Sequence, residues 1–251
     1  MDFATELRQW RGRRRLSQLA LAGEAEVSSR HLSFLESGRA RPSREMVLRL
    51  AEALDLPLEQ RNGLLTAAGY AGIWPVRRLD DAALAPVRRA LDRMLLQHDP
   101  WPGVLLDRDW RLAELNTTAL RLFALAGLGP GDSLLARLPE IGPQMIENWG
   151  EVGHHTLQRL RAESRAAGGI AALDRAAALL AADPEVSAHR PADPPQPFVR
   201  TIYRAGDLRL SLFSTFAQVG VGEDILLSGL KLELMFPETP ADEAVLDALS
   251  A

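Results

Sequence analysis

The sequence predicts two domains of different class. Residues 1–70 read as an all-α domain of five short helices containing a helix-turn-helix, and residues 81–236 as an α+β domain with an antiparallel sheet of about five strands. Three observations carry this. Residues 17–38, SQLALAGEAEVSSRHLSFLESG, read as two short helices joined by a tight turn. Apolar residues recur at helical spacing as far as Gly69, then change to strand-like alternation in stretches after Val104. Charge is divided as well: residues 1–78 hold 13 Arg and no Lys against 9 Asp and Glu, whereas the rest holds 16 basic against 24 acidic residues. The net charge of −4 therefore hides a basic head on an acidic body. Residues 70–80, YAGIWPVRRLD, lose all periodicity, so 71–80 read as a linker, and 237–251 as an acidic tail with room for one short helix.

In the first domain, residues 3–11 form a helix with Phe3, Leu7 and Trp10 on one stripe. The run Arg11-Gly12-Arg13-Arg14-Arg15 follows, and Arg14 and Arg15 are candidate phosphate contacts. Ser17 caps the second helix, since its hydroxyl accepts from a free backbone N–H two or three residues on. Leu19, Leu21 and Ala22 are that helix's apolar positions. Ala25-Glu26-Val27 makes the turn and Ser28 caps the next helix, with Leu32 and Leu35 inward and Ser29, Arg30, Ser33 and Phe34 outward. Gly38 ends it in a left-handed residue. Ser43 caps a fourth helix carrying Met46, Val47, Leu50, Ala51 and Leu54. Pro57 opens a fifth, with Leu58, Leu64 and Leu65 apolar and Gly69 as the stop.

An outer helical face of hydroxyls and an arginine adds little to stability, and it is the shape a DNA major groove accepts. The stretch resembles the helix-turn-helix of the XRE, or lambda-repressor-like, transcription regulators. The longer run SSRHLSFLESGRARPSREMVLRLAEALDLPLEQRNGLLTAAGY resembles the MmyB-like regulators among them. One departure is Glu26, where that family usually has glycine; Glu implies a less strained turn or a small stability cost. The resemblance implies a PAS-like ligand-binding domain after the helix-turn-helix, and a small apolar or fatty-acyl ligand in it.

In the second domain, Asp81 caps a long helix with Leu84, Val87, Leu91, Met94 and Leu95 on one face. Two strands follow, Val104–Asp107 and Trp110–Leu115, joined at Arg108-Asp109. Asn116 caps a helix over Thr117–Ala124. Leu105 to Asn116 is similar to the family's VLDRxWxxxxxN pattern, and Ile146-Glu147-Asn148-Trp149 to its ENW segment. Residues 132–183 read as a short helix started at Asp132, a longer one through Gln144–Ala167 and an Ala-rich one at 170–182. Residues 184–197 are too proline-rich for helix and read as an extended loop. Strands Phe198–Arg204, Leu208–Phe216 and Ile225–Phe236 close the chain, with one dry and one wet sheet face.

The remaining chemistry is sparse. No run approaches the ~18 apolar residues of a membrane span, and the N-terminus lacks an apolar signal core. There are no cysteines, which excludes disulfides and thiolate sites and fits a cytoplasmic protein. His154 and His155 point about 100° apart on a helix, a poor start for a metal site. Asp107 and Asp109 suit a turn better than an acid–base pair, and Gly220-Val221-Gly222 is no phosphate cradle. An enzyme with a DNA-binding head is a third reading, and no nucleophile–base constellation supports it. No cofactor is expected.

The expected partner is double-stranded operator DNA, contacted through Gln18, Ser28, Ser29, Arg30, Ser33, Phe34, Arg39, Arg41, Arg14 and Arg15. A homodimer is expected, because one recognition helix spans too few base pairs. Candidate ligand-pocket residues are Trp110, Asn116, Trp149, Phe213, Thr215 and Phe216, with helix capping the stronger reading for Asn116. A second reading keeps the DNA-binding head and gives the C-terminal domain only dimerisation or protein contact, without a ligand.

Overall fold

A computed structural model describes residues 2–192, 194, 196–220 and 223–250. The chain divides into two compact units, the main body of the first running up to Val76 and that of the second starting at Arg77. Among the described residues no helix is long and apolar enough to cross a membrane.

The first unit holds five helices: α1 (Phe3–Arg13), α2 (Gln18–Glu24), α3 (Ser29–Glu36), α4 (Arg44–Ala53) and α5 (Leu58–Ala67). Local chemistry sets their ends. Asp2, Ser17, Ser28 and Ser43 each accept a backbone N–H three residues on, from Thr5, Ala20, His31 and Met46. Gly38 takes φ 71° and Gly69 φ 88° beyond the ends of α3 and α5, the left-handed stop expected of each. The apolar stripes meet in one core of Leu7, Trp10, Leu21, Leu32, Leu35, Val47, Leu50, Leu64 and Leu65. Each fully buried leucine there contributes roughly 2 kcal/mol. Leu19 leaves the expected pattern: it is 73% exposed, because a helix of only seven residues buries one narrow face.

The second unit begins with a 3-10 turn (Ala82–Leu84) capped by Asp81, continuing into α6 (Ala85–His98). Then come β1 (Gly103–Leu106), β2 (Leu112–Leu115) and α7 (Thr117–Ala124), followed by α8 (Leu134–Met145), α9 (Trp149–Ala167), α10 (Ala171–Ala182) and α11 (Pro184–Ala188). The chain closes with β3 (Arg200–Ala205), β4 (Leu208–Ala217), α12 (Ile225–Gly229), β5 (Lys231–Pro237) and α13 (Pro240–Ser250). The five strands form one antiparallel sheet in the order β2-β1-β5-β4-β3.

Several sequence expectations need correction. The second strand begins at Leu112, because Asp107 accepts from the N–H groups of Asp109 and Arg111 and turns the chain. Trp110 is left in the left-handed region at φ 58°. The helix expected through Gln144–Ala167 breaks at Ile146, which bridges Tyr203. Asn148 accepts from the N–H of Ile202 and donates to the carbonyl of Arg200, clipping the edge strand. The helix before the break is capped by Ser133, not Asp132.

Pro184, expected to forbid a helix, sits at the first position of α11, where a missing N–H costs nothing. The apolar run from Ile225 opens as helix α12, and alternation starts only at Lys231; a short unbroken apolar run carries no period of its own. The tail holds the short helix it had room for, residues 240–250, and that helix is not a loose appendage: Leu246 is fully buried in the main core. Asp193, Pro195, Val221, Gly222 and Ala251, parts of the expected crossing loop, Gly-x-Gly and tail, lie outside the described residues.

The strand pleat decides what each sheet face meets. Val104 and Leu106 of β1, Lys231, Glu233 and Met235 of β5, Leu210 and Leu212 of β4, and Thr201 and Tyr203 of β3 share one face by register. That face meets α7 to α10 in the main core. On the other face, Leu105 and Leu232 pack with Leu91 and Leu95 of α6. The expected wet face is therefore covered over β1 and β5.

Candidate functional site

Two sites emerge, one in each unit. In the first, α2, a turn and α3 are held by a polar knot. Glu36, only 2% exposed, accepts from Arg11 Nε at 2.6 Å, Arg11 Nη2 at 3.0 Å and Gln18 Nε2 at 2.7 Å. Arg11 also donates to the carbonyl of Leu16, and the hydrogen bond to Glu36 raises its pKa above the ordinary arginine value. A charge pair this enclosed fixes geometry more surely than it adds stability. Leu32 and Leu35 anchor the inner side of α3, and Ala25 and the half-buried Val27 fill the turn. Glu26 takes φ 52°, so the turn keeps the left-handed residue and the less strained alternative does not hold.

What the knot presents is the N-terminal half of α3. Ser28, Ser29 and Arg30 are exposed, and Ser33 and Phe34 half-buried. The Arg30 guanidinium lies 5.5 Å from the Phe34 ring centre, within cation–π range, so the two act as one unit. Ser28's hydroxyl is engaged in its cap at 3.2 Å. Arg39 and Arg41 are exposed beyond Gly38, and Arg15 is exposed at φ 56°. Arg14 differs from the others: its guanidinium donates to the carbonyls of Leu54 and Asp55 at 2.8 and 2.6 Å. It braces the α4–α5 turn and is not an open phosphate contact. Gln18 is likewise drawn inward by Glu36, with its amide oxygen left over.

The second site is a cavity of about 130 Å³ in the second unit. Its roof is apolar: Leu122 and Phe123 of α7, Leu134, Leu138, Ile141 and Met145 of α8, and Val152 of α9. Its floor is the inner sheet face, with Thr201, Tyr203, Leu208, Glu233 and Met235, and Trp110, Thr156 and Arg204 also line it. Burial pushes the Tyr203 hydroxyl well above its ordinary pKa, and the nearby charge of Glu233 adds to this. Burial also raises Glu233, with a hydrogen bond from Ser214 opposing.

Beside Trp110 lies a second polar knot. Glu163 takes the Trp110 indole N–H at 3.0 Å, Arg159 Nε at 2.8 Å and the Lys231 ammonium. Burial pushes Glu163 up, but the bonds from Arg159 and Lys231 outweigh it and hold the carboxyl below its usual value. Burial lowers Lys231 in turn, with Glu163 opposing. The Arg159 guanidinium stacks at 3.4 Å over Phe216 and 5.0 Å from Trp110.

Of the six residues read from the sequence as pocket lining, only Trp110 lines the cavity. Phe213 and Thr215 sit on the opposite sheet face, since alternate strand residues point to opposite sides; Phe213 stacks there on Phe236. Phe216 shares the cavity's face but lies under Arg159. Trp149 is 1% exposed in the core, donates to Asp183 at 3.0 Å, and fills the space where a Cβ on Gly142 would come within 2.3 Å of its ring. Asn116 is fully engaged: its oxygen accepts from Gly103 and Ala119, and its amide donates to the carbonyls of Leu95 and Trp101. Reasoning from the sequence missed Tyr203, Glu233 and the α8 wall; the one signal was two large polar residues at inward positions of otherwise apolar strands.

His154, His155 and His189 gather with ring centres 5.2 to 6.4 Å apart. Among the described residues, however, no group of three or more His, Asp or Glu is placed to hold a metal ion.

Two family models match the chain. A model described as MmyB-like transcription regulator ligand binding domain matches residues 87–249, and one described as helix-turn-helix domain matches residues 2–64. No curated protein matches the chain.

Proposed function

The chain belongs to the MmyB-like transcription regulators, and we propose that it is a sequence-specific operator binder whose C-terminal cavity takes a small apolar ligand that alters DNA affinity. It is a DNA-binding transcription regulator with a ligand-binding domain, not a member of an enzyme family. The observation that supports sequence reading is the outward N-terminal half of α3. Ser29 and Arg30 are exposed while the same helix is anchored by Leu32, Leu35 and Glu36. Arg30 is the candidate base reader, with bidentate contact to guanine as the favoured mode. Phe34, under it, reaches a thymine methyl; Arg39, Arg41 and Arg15 grip phosphate. One such helix reads too few base pairs for tight binding, so the active form is a homodimer on a palindromic or repeated site.

The mostly apolar cavity favours ligand binding over a domain used for dimerisation alone. Ligand then acts by favouring one arrangement of the DNA-binding heads, which requires different affinity for the two states.

Selection from a random duplex pool at fixed salt tests the DNA reading: the full chain enriches a repeated or palindromic motif, and absence of any enriched sequence sinks it. The coupling is tested on the enriched duplex with loaded and empty protein. Equal affinities at matched salt would remove the regulatory part.

A further inference from the structure

Away from both sites, three imidazoles meet where the short helix α11 lies on α9. His154 and His155 are neighbours on α9, and His189 ends α11; their ring centres lie 5.2, 5.9 and 6.4 Å apart. His154 and His189 are half-buried and His155 is exposed. Little else holds α11 down. Val186 is its one buried residue. It sits against Gly153, where an added Cβ would come within 2.4 Å of it, and a Cβ on Gly150 would come within 3.0 Å of the Glu185 carbonyl. Asp183 ties the start of the helix to the Trp149 indole at 3.0 Å. A segment with so few buried contacts opens locally at low cost.

The charged groups nearest the rings are largely committed. Glu151, one turn before His155, accepts from the Asn148 amide. Asp183 caps α11 and holds Trp149. Arg190 donates to the carbonyls of Ser187, Ala188 and His189, which adds a positive charge beside the cluster. Glu185 on α11, and Asp174 and Arg175 on α10, which also packs on α11, are exposed to water. Partial burial lowers the pKa of His155 from the ordinary 6.5; the charge of His154 adds to this, Glu151 opposes it and His189 adds again. Each proton taken up by one ring makes the next harder to accept.

We infer that His154, His155 and His189 form an acid-sensitive latch: neutral rings pack α11 onto α9, and charged rings push it off. Because the folded state disfavours charged His155, the latch is firm above 6.5 and is lost as pH falls through the lower folded value. Val152 and Thr156, beside Gly153 and His155 on α9, line the cavity, so release of α11 loosens that wall. The latch does not depend on what the cavity binds.

Hydrogen exchange of the full chain at about pH 7.5 and about pH 5.5, corrected for the intrinsic exchange rate, tests this. Amides of residues 185–190 should lose protection roughly tenfold or more at the lower pH, while those of β4 keep theirs. About 1 M salt, which screens repulsion between the rings, should return most of the loss. His189→Gln removes one of the charges and should cut the acid loss to under about threefold; His155→Gln takes its place if that variant fails to fold. Protection that ignores pH, an acid loss that salt leaves untouched, a loss of equal size in the variant, or one shared equally by β4 overturns the inference. So does a variant unprotected at both pH values, which would make the rings packing groups only.

Discussion

The two units treat their polar side chains in opposite ways. Each contains a polar knot centred on a glutamate: the buried Glu36 with Arg11 and Gln18 in the helical unit, the half-buried Glu163 with Lys231, Arg159 and Trp110 in the sheet unit. Around Glu36 the uncommitted polar groups point out, as the exposed Ser29, Arg30, Arg39 and Arg41. Around Glu163 polar side chains point in, as Tyr203, Glu233 and Thr201 along the cavity floor, with Tyr203 bonded to Thr201 and Glu233 to Ser214. The same device, a locked charge cluster, thus supports the proposed reading surface in one unit and the proposed binding chamber in the other. What differs is the dielectric that the working residues see. Arg30 sits in water, whereas Glu233 and Tyr203 are pushed towards their neutral forms by burial.

The sharpest way to break the comparison is to remove the knot in the helical unit. Glu36→Ala leaves Arg11 and Gln18 without their acceptor at an almost sealed position, and breaking such a pair costs about 3 kcal/mol or more. Urea denaturation of the full chain should show that loss. A loss under about 1 kcal/mol would mean that Glu36 is a surface-like contact and that α3 is held by its leucines alone.

Next in size is the reading surface. Arg30→Ala is expected to cost about 1–3 kcal/mol of operator affinity and to relax preference at one base pair. Arg41→Ala should instead weaken all sequences alike and lower the salt slope by about 1. Measured on matched and mismatched duplexes across salt, the two variants separate base reading from phosphate grip. If both lower affinity uniformly, α3 presents charge without sequence information.

These two units were not equally legible from residues alone, and the reason is physical. Helix ends and the turn of the first unit are encoded by single side chains acting within four residues: Ser17, Ser28, Ser43, Gly38. The outward face of α3 follows from the 3.6-residue period. Arg14 is the exception there, because its partners, Leu54 and Asp55, lie some forty residues on. In the second unit the five strands and the antiparallel sheet could be anticipated from alternation, but not the cavity. Its lining spans Trp110 to Met235, and no local rule joins Ile141 to Tyr203. Aromatic content was a poor guide: Trp149 is tied to Asp183, and Phe213 lies on the far face. A pocket is a property of what packing leaves out, and sequence patterns register only what packing brings in.

A smaller effect separates the two glutamates of the sheet unit. Glu233 has a raised pKa in the folded state, so the stability it contributes is present below its ordinary value of 4.5 and is lost as pH rises through the folded value. Glu163 is lowered, so its contribution is present above 4.5 and is lost as pH falls through its folded value. Glu233→Gln should therefore be more stable than the parent chain at neutral pH, with the difference disappearing below 4.5. Denaturation midpoints across pH check this. A gap that widens on acidification would place the charged form of Glu233 in a favourable site and reverse the argument.

The smallest effect concerns the turn between α2 and α3, where the helical unit departs from its family's glycine. Glu26 holds φ 52°, a conformation that costs a side-chain-bearing residue roughly 1–2 kcal/mol. Its side chain is exposed, and no packing offsets that cost. Glycine adopts the angle freely but loses more conformational entropy on folding, which returns part of the gain. Glu26→Gly is therefore expected to stabilise the chain by about 0.5–1 kcal/mol while leaving operator specificity unchanged. The prediction also bears on how α3 is presented. If the turn alone set the helix's angle, relieving its strain would alter which bases are read; because the Glu36 knot and Leu32 and Leu35 set it, stability should change and sequence preference should not. A shift in the enriched motif on Glu26→Gly would assign to the turn the control over α3 attributed here to the buried knot.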